Sequence, residues 1–165
     1  MYDELTKSDI EKMEAEIEHR KLVLRKELIE AVKEARAQGD LSENFEYYAA
    51  KREKNQNESR IRFLERMIKT AVIISDESKE DEIGVNNTVT VYIEEDDEEE
   101  VYKLVTTMRG DSIHGLVSVE SPIGKALLGH KVGDRVHVEV NKEYGYDLIV
   151  RKIENTTDDE ELNKF

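Results

Sequence analysis

Gly39-Asp40-Leu41-Ser42-Glu43-Asn44 lies between two long runs of helix-forming sequence. Gly39 stops the first run and Asn44 opens the second, which makes the hexapeptide the turn of a helical hairpin. Two carboxylates, Asp40 and Glu43, stand at the tip, with Tyr47 and Tyr48 one turn further on.

Working outward, the run before the turn carries apolar residues at Ile10, Met13, Ile17, Leu24, Leu28, Val32 and Ala35. Steps of three, four or seven predict a helix from Ile10 to Gln38 with one packed seam, about 40 Å long at the usual rise per residue. Ser8 or Asp9 is the expected N-cap. The run after the turn predicts a helix from Asn44 to about Ala71, with Phe45, Tyr48, Ala49, Ile61, Leu64, Met67, Ile68 and Ala71 as its apolar positions. Long helices joined by a short turn fold back antiparallel, so residues 1–75 read as a two-helix coiled coil. The ten polar residues from Lys51 to Arg60 predict a weakly packed mid-section.

Charge divides the chain. Residues 1–75 hold 15 Lys+Arg against 16 Asp+Glu, whereas residues 76–165 hold 10 against 23, so the net charge of −14 belongs almost wholly to the second half. That half would repel phosphate; the near-neutral first half could meet nucleic acid. Within the hairpin, basic residues gather at Arg20, Lys21, Arg25, Lys26, Lys33 and Arg36, and again at Lys51, Arg52, Lys54, Arg60, Arg62, Arg66 and Lys69. Folded back, these segments lie side by side below the acidic tip. A solvated helical surface is the plain account of such runs.

Residues 76–84 are an acidic linker, and beyond it the apolar period changes to two. Thr88–Ile93, Val101–Val105, Leu116–Val119, Val136–Val140 and Leu148–Val150 read as strands, and Pro122–Leu128 as one short helix. Residues 85–154 are therefore a small, mostly antiparallel sheet with one helix, and the whole chain is a two-domain α+β protein. Glu94–Glu100 reads as an acidic hairpin loop, a solubilising turn rather than a Ca²⁺ site, and residues 155–165 as a fraying acidic tail. With no cysteine, disulfides and thiolate metal sites are excluded. No run has membrane length and no signal peptide is evident, so the expectation is a cytoplasmic protein.

Asp40 and Glu43 have the spacing of a capping box, and on spacing alone that structural role is the simpler account. They are also hard oxygen ligands suited to Mg²⁺, but two carboxylates are too few to hold the ion by themselves. An incomplete site on the end of a rod implies that the rest of the site belongs to another molecule.

The segment Gly39–Asn44, with Glu46-Tyr47 and Ala49-Ala50, resembles the signature of the bacterial GreA/GreB transcript-cleavage factors. The resemblance continues through Arg60-Ile61 and Leu64-Glu65. It resumes at Val119-Glu120-Ser121-Pro122-Ile123-Gly124-Lys125-Ala126-Leu127-Leu128-Gly129 and at Val132-Gly133-Asp134. It implies an N-terminal antiparallel coiled coil and an FKBP-like C-terminal domain that docks on RNA polymerase, with Glu120, Ser121 and Pro122 matching the docking segment. The coiled coil would pass down the secondary channel, where Asp40 and Glu43 help hold a Mg²⁺ supplied mainly by the polymerase, which itself cleaves the 3′ end of backtracked nascent RNA.

The resemblance further implies RNA contacts for Arg36, Lys51, Arg52 and Tyr47, with packing under the tip the simpler role for Tyr47. It implies a monomer that binds polymerase and is not itself an enzyme. A relative that occupies the channel without stimulating cleavage is the alternative. Prolyl isomerase activity is not expected, since the second domain offers only Tyr92, Tyr102, Tyr144 and Tyr146 to line a pocket.

Overall fold

The computed structural model describes residues 3–39 and 44–164 and comprises two compact units, one of Ile10–Ala71 and one of Met1–Asp9 with Val72–Phe165. The helical unit is the expected hairpin. Its first arm runs through α1 (Lys7–His19), a π-helical segment (Arg20–Leu24) and α2 (Arg25–Ala37); its second is α3 (Phe45–Thr70). The arms are antiparallel, with Glu16 opposite Arg60, Arg20 opposite Asn57 and Ala35 opposite Asn44.

In the first arm every residue of the predicted seam is shielded, with Met13 and Ala35 buried, and the polar Glu16, Arg20 and Arg25 are shielded beside them. In the second arm the prediction fails near the turn. Phe45 is 85% exposed and Tyr48 48%, while Tyr47 faces inward at 8%. The inward face of α3 is Tyr47, Ala50, Lys54, Asn57, Ile61 and Leu64, all shielded at steps of three and four.

The polar mid-section is paired rather than loose. Arg60 sends Nε to Glu16 Oε2 at 2.8 Å and Nη2 to Oε1 at 3.3 Å, and the same carboxylate accepts from Arg20 Nε at 2.8 Å. Asn57 accepts from Arg20 Nη1 at 2.9 Å and donates to the Arg20 carbonyl at 3.3 Å. Nearby, Arg25 grips Glu58 with two bonds of 3.0 and 2.8 Å. Forked guanidinium–carboxylate pairs tolerate partial burial because each charge keeps several hydrogen bonds. At the π-helical segment the Arg25 N–H reaches back five residues to the Arg20 carbonyl, so this turn uses one residue more than an α-turn.

The second unit contains a five-stranded sheet in the order β5-β4-β3-β7-β6. The strands are β3 (Thr88–Ile93), β4 (Glu98–Val105), β5 (Leu116–Ser118), β6 (Arg135–Glu139) and β7 (Gly145–Glu154), with α4 (Pro122–Leu127) between β5 and β6. Three pairings are antiparallel; β5 runs parallel to β4, which makes the sheet mixed. Alternate residues Val89, Val91 and Ile93 of β3 join Leu104, Val136, Val138, Leu148, Val150 and Leu127 in the core. Glu98, Glu99 and Glu100 belong to β4, paired with Ile93, Tyr92 and Val91, so the acidic loop is shorter than expected.

Three boundaries differ from the sequence reading. Residues 3–9 belong with the sheet unit rather than the hairpin, because β1 (Glu4–Leu5) pairs in parallel with β2 (Val72–Ile73) and Leu5 is fully buried. The expected linker ends in the core: Ile83 is 2% exposed and its backbone bonds His130 and Gly129. Finally, the acidic tail is held. Arg109, with no exposed side chain, donates Nε to Asp9 at 2.7 Å and Nη1 to Asn86 at 2.7 Å and Glu160 at 2.9 Å, with Asp158 at 3.4 Å. Asn163 adds bonds to the carbonyls of Thr107 and Gly110.

Thr6 and Asp9 cap α1 reciprocally, since the Asp9 N–H donates to Thr6 Oγ1 at 3.2 Å and the Thr6 N–H to Asp9 Oδ2 at 3.1 Å. Thr6, rather than Ser8 or Asp9, is therefore the residue at the cap, and Asp9 serves both the cap and Arg109.

Candidate functional site

Asp40 and Glu43, the expected metal-assisting acids, lie outside the described residues, as does the capping box proposed for them. The flanks that carry them are described. Gly39 has φ +134°, a conformation that L side chains rarely adopt, and follows directly on the last turn of α2. Asn44 is the N-cap of α3: its Oδ1 accepts from the Tyr47 N–H at 3.0 Å. Its Nδ2 donates to the Ala35 carbonyl at 2.6 Å, an acceptor in the last turn of α2. One side chain thus ties the end of one arm to the start of the other, across the base of the turn.

Tyr47 completes that base. The Arg36 guanidinium stands 5.5 Å from the Tyr47 ring centroid and sends Nη2 towards its hydroxyl at 3.4 Å. This hydrogen bond, helped by the charge of Lys51 against the opposing pull of burial, holds the Tyr47 hydroxyl below the ordinary phenol pKa. The structure therefore brings together Arg36, Tyr47 and Lys51, with Tyr47 in the packing role. Arg52 is exposed on a different face of α3. The sequence reading missed the bridging role of Asn44 and put Phe45 and Tyr48 on the wrong face. The signal for the right face was present: counting back from Leu64 and Ile61 by heptad steps leads through Asn57, Lys54 and Ala50 to Tyr47.

The predicted docking residues lie in the sheet unit, at the start of α4. Ser121 is its N-cap, accepting from the Gly124 N–H at 3.1 Å and donating to the Ser118 carbonyl at 2.6 Å, with Pro122 in the first turn. A Cβ on Gly124 would lie 2.0 Å from the Ser118 carbonyl oxygen, so the helix start is pressed against the chain before it and admits only glycine there. Glu120 is half-buried, and that burial, with Asp3 and Glu4 beside it, raises its carboxyl above the usual range. Ser121 and Pro122 thus set the local shape, while Glu120 is the member with chemistry to spare.

Among the described residues no group of three or more His, Asp or Glu side chains is arranged to hold a metal, and no helix is long and apolar enough to cross a membrane. The two carboxylates of the turn fit Mg²⁺ in donor type, as hard oxygens, and fall short of a full set in number.

Residues 4–73 match the family model described as "Transcription elongation factor, N-terminal", and residues 77–155 match "Transcription elongation factor, GreA/GreB, C-term". A transcription elongation factor GreA of Macrococcus caseolyticus is 44% identical over 150 residues, 91% of this chain and 94% of the relative. One from Streptococcus pneumoniae is 45% identical over 153 residues, covering 92% and 95%. A solved structure of the transcription factor Gfh1 aligns over 93% of this chain and 97% of its own at 28% identity, with a TM-score of 0.46.

Proposed function

This chain belongs to the GreA/GreB family of transcription elongation factors, and on that premise we propose that it stimulates RNA polymerase to cleave the 3′ end of backtracked nascent RNA. The observation that carries the reading is the pair Asp40 and Glu43 in a turn whose two flanks are tied together by Asn44.

In this reading the protein works as a monomer, and the polymerase supplies most of the coordination. Asp40 and Glu43 would add carboxylate oxygens to a Mg²⁺ shared with the polymerase active centre. Such an ion, when bound, supplies an activated water and charge neutralisation at the phosphodiester. What this chain contributes is position. The hairpin carries two carboxylates to the site, Asn44 and the Arg36–Tyr47 contact tie the ends of the two arms together, and Lys51 and Arg52 offer charge to the RNA backbone. Glu120, with Ser121 and Pro122 shaping its surroundings, is the proposed polymerase contact.

The test is RNA cleavage in a backtracked elongation complex with the wild-type chain, Asp40→Asn and Glu43→Gln. Both changes are near-isosteric, and the α3 cap is supplied by Asn44. Stimulation by the wild type, reduced at least a hundredfold in both variants with polymerase binding intact, is the expected result; loss of one transition-state contact is worth about that much. Binding without stimulation would make the chain a channel-occupying relative instead.

A further inference from the structure

The first turns of α3 present an outward stripe that the proposed metal-assisting role does not use. Phe45, Tyr48 and Arg52 follow one another at steps of three and four, which places them on one face of the helix. Phe45 is 85% exposed, Tyr48 is 48% exposed and Arg52 is exposed. The stripe is not a failed seam, since Tyr47 fills the inward position beside it. Tyr48 is held edge-on against the Tyr47 ring, with centroids 5.4 Å apart, and Tyr47 is in turn fixed by Arg36. Phe45 directly follows the N-cap Asn44, whose side chain is bonded to both arms.

We propose that Phe45 and Tyr48 form a stacking platform for an unpaired base of the extruded RNA 3′ segment, with Arg52 directed to its backbone. The inference rests on the proposed function and adds to it the residues that position the RNA. Charge selects this occupant. Glu46, exposed beside Phe45, repels phosphate, so a strand approaching this part of α3 turns its bases, not its backbone, towards Phe45. One turn further on, Lys51 and Arg52 reverse the sign and suit phosphate. Aromatic faces beside a cationic track are the arrangement by which proteins hold single strands without reading sequence, so any of the four bases serves. Phe45 and Tyr48 are positioning residues; they take no part in bond breaking.

The test uses the whole chain with RNA polymerase complexes backtracked by two nucleotides, on normal RNA and on RNA made abasic at each extruded nucleotide in turn. Phe45→Ala, Tyr48→Ala and Phe45→Trp are compared at saturating factor and by the concentration giving half-maximal rate. The expectation for Phe45→Ala is a roughly tenfold slower cleavage at saturation with an unchanged half-saturating concentration, a stacking-sized loss. Tyr48→Ala should lose less, and Phe45→Trp should restore the rate. One abasic position should slow the wild type by the same factor and leave Phe45→Ala no further to fall.

Cleavage by Phe45→Ala at the wild-type rate overturns the proposal. So does an equal loss on normal and abasic RNA, which would mean that Phe45 only shapes the turn. A change confined to the half-saturating concentration would assign the stripe to a protein surface and overturn it too. If the wild type stimulates no cleavage at all, the proposed function fails first and this inference with it.

Discussion

Asn44 shows how much one side chain can decide. Its carbonyl oxygen caps α3 and its amide nitrogen holds the Ala35 carbonyl, so both ends of the turn depend on a single residue. Asn44→Ala removes a cap and takes from the Ala35 carbonyl the shorter of its two hydrogen bonds, leaving the one from the Gln38 N–H at 3.3 Å. We expect a loss of about 1–2 kcal/mol in the stability of the hairpin, read by chemical denaturation. Asn44→Asp keeps the cap and loses the bond to Ala35, and should fall between the two. Because the turn is what the hairpin presents, Asn44→Ala should also slow RNA cleavage more than its modest effect on stability would suggest.

At the scale of the element, the hairpin is held in its middle by ions rather than by oil. Burial pulls the Glu16 carboxyl upwards, but hydrogen bonds from Arg60 and Arg20 outweigh it and hold the group below its ordinary value of 4.5. Glu58 is likewise lowered, first by its hydrogen bond from Arg25. A carboxylate whose folded pKa is depressed stabilises the fold above its unfolded pKa and loses that contribution as pH falls through the folded value. The helical signal of the chain should therefore become easier to melt as pH drops below about 4.5. In Glu16→Gln, melting at neutral pH should already be easier and the acid-induced decline shallower. A decline as steep as in the wild type would show that Glu16 is not its source.

Much of this element was legible in sequence and some was not. The seam of the first arm could be read because its apolar residues recur without interruption from Ile10 to Ala35. Ile61 and Leu64 were legible on the face of α3, but its start was misread because Phe45 and Tyr48 are apolar in type, while the inward residues before Ile61 include Tyr47, Lys54, Asn57 and Arg60. Hydrophobic period locates a buried stripe only where burial is apolar. Here the partners that make burial tolerable lie on the other arm, more than thirty residues away in sequence. The acids of the turn were read from the motif alone.

At the scale of the molecule, the sheet unit is closed by chain that sequence assigned elsewhere. Arg109 sits without exposure among Asp9, Asp158 and Glu160, which joins residues before the hairpin to residues after the last strand. A strand of two residues and an acidic tail carry no periodic signal, so neither could be placed from sequence. Removing one partner of a buried pair costs far more than the pair itself is worth, because it strands the remaining charge. Asp9→Asn should lower the stability of the sheet unit by about 3 kcal/mol, seen as a lower melting temperature. Deleting residues 156–165 should destabilise the same unit while leaving the paired hairpin mid-section unaffected.

The π-helical segment Arg20–Leu24 bears on how the hairpin tolerates changes in length. Steps of three, four and seven carry the seam from Ile10 to Leu24, after which two successive steps of four lead to Leu28 and Val32. The wide turn absorbs that one-residue delay, so the arm behaves as a regular coiled-coil strand with a single insertion. Leu22 and Val23, 60% and 42% exposed, are the natural place to look for it. Loss of one residue there would relax the turn to α geometry and leave every inward residue beyond it facing the same way. Loss of one residue at Leu28 or Val32 would have no such slack to draw on, and would turn the remainder of the arm by about 100°. Arg36 would then be swung off Tyr47. Single-residue deletions in this arm are thus sorted by position, silent at one turn and ruinous a turn later.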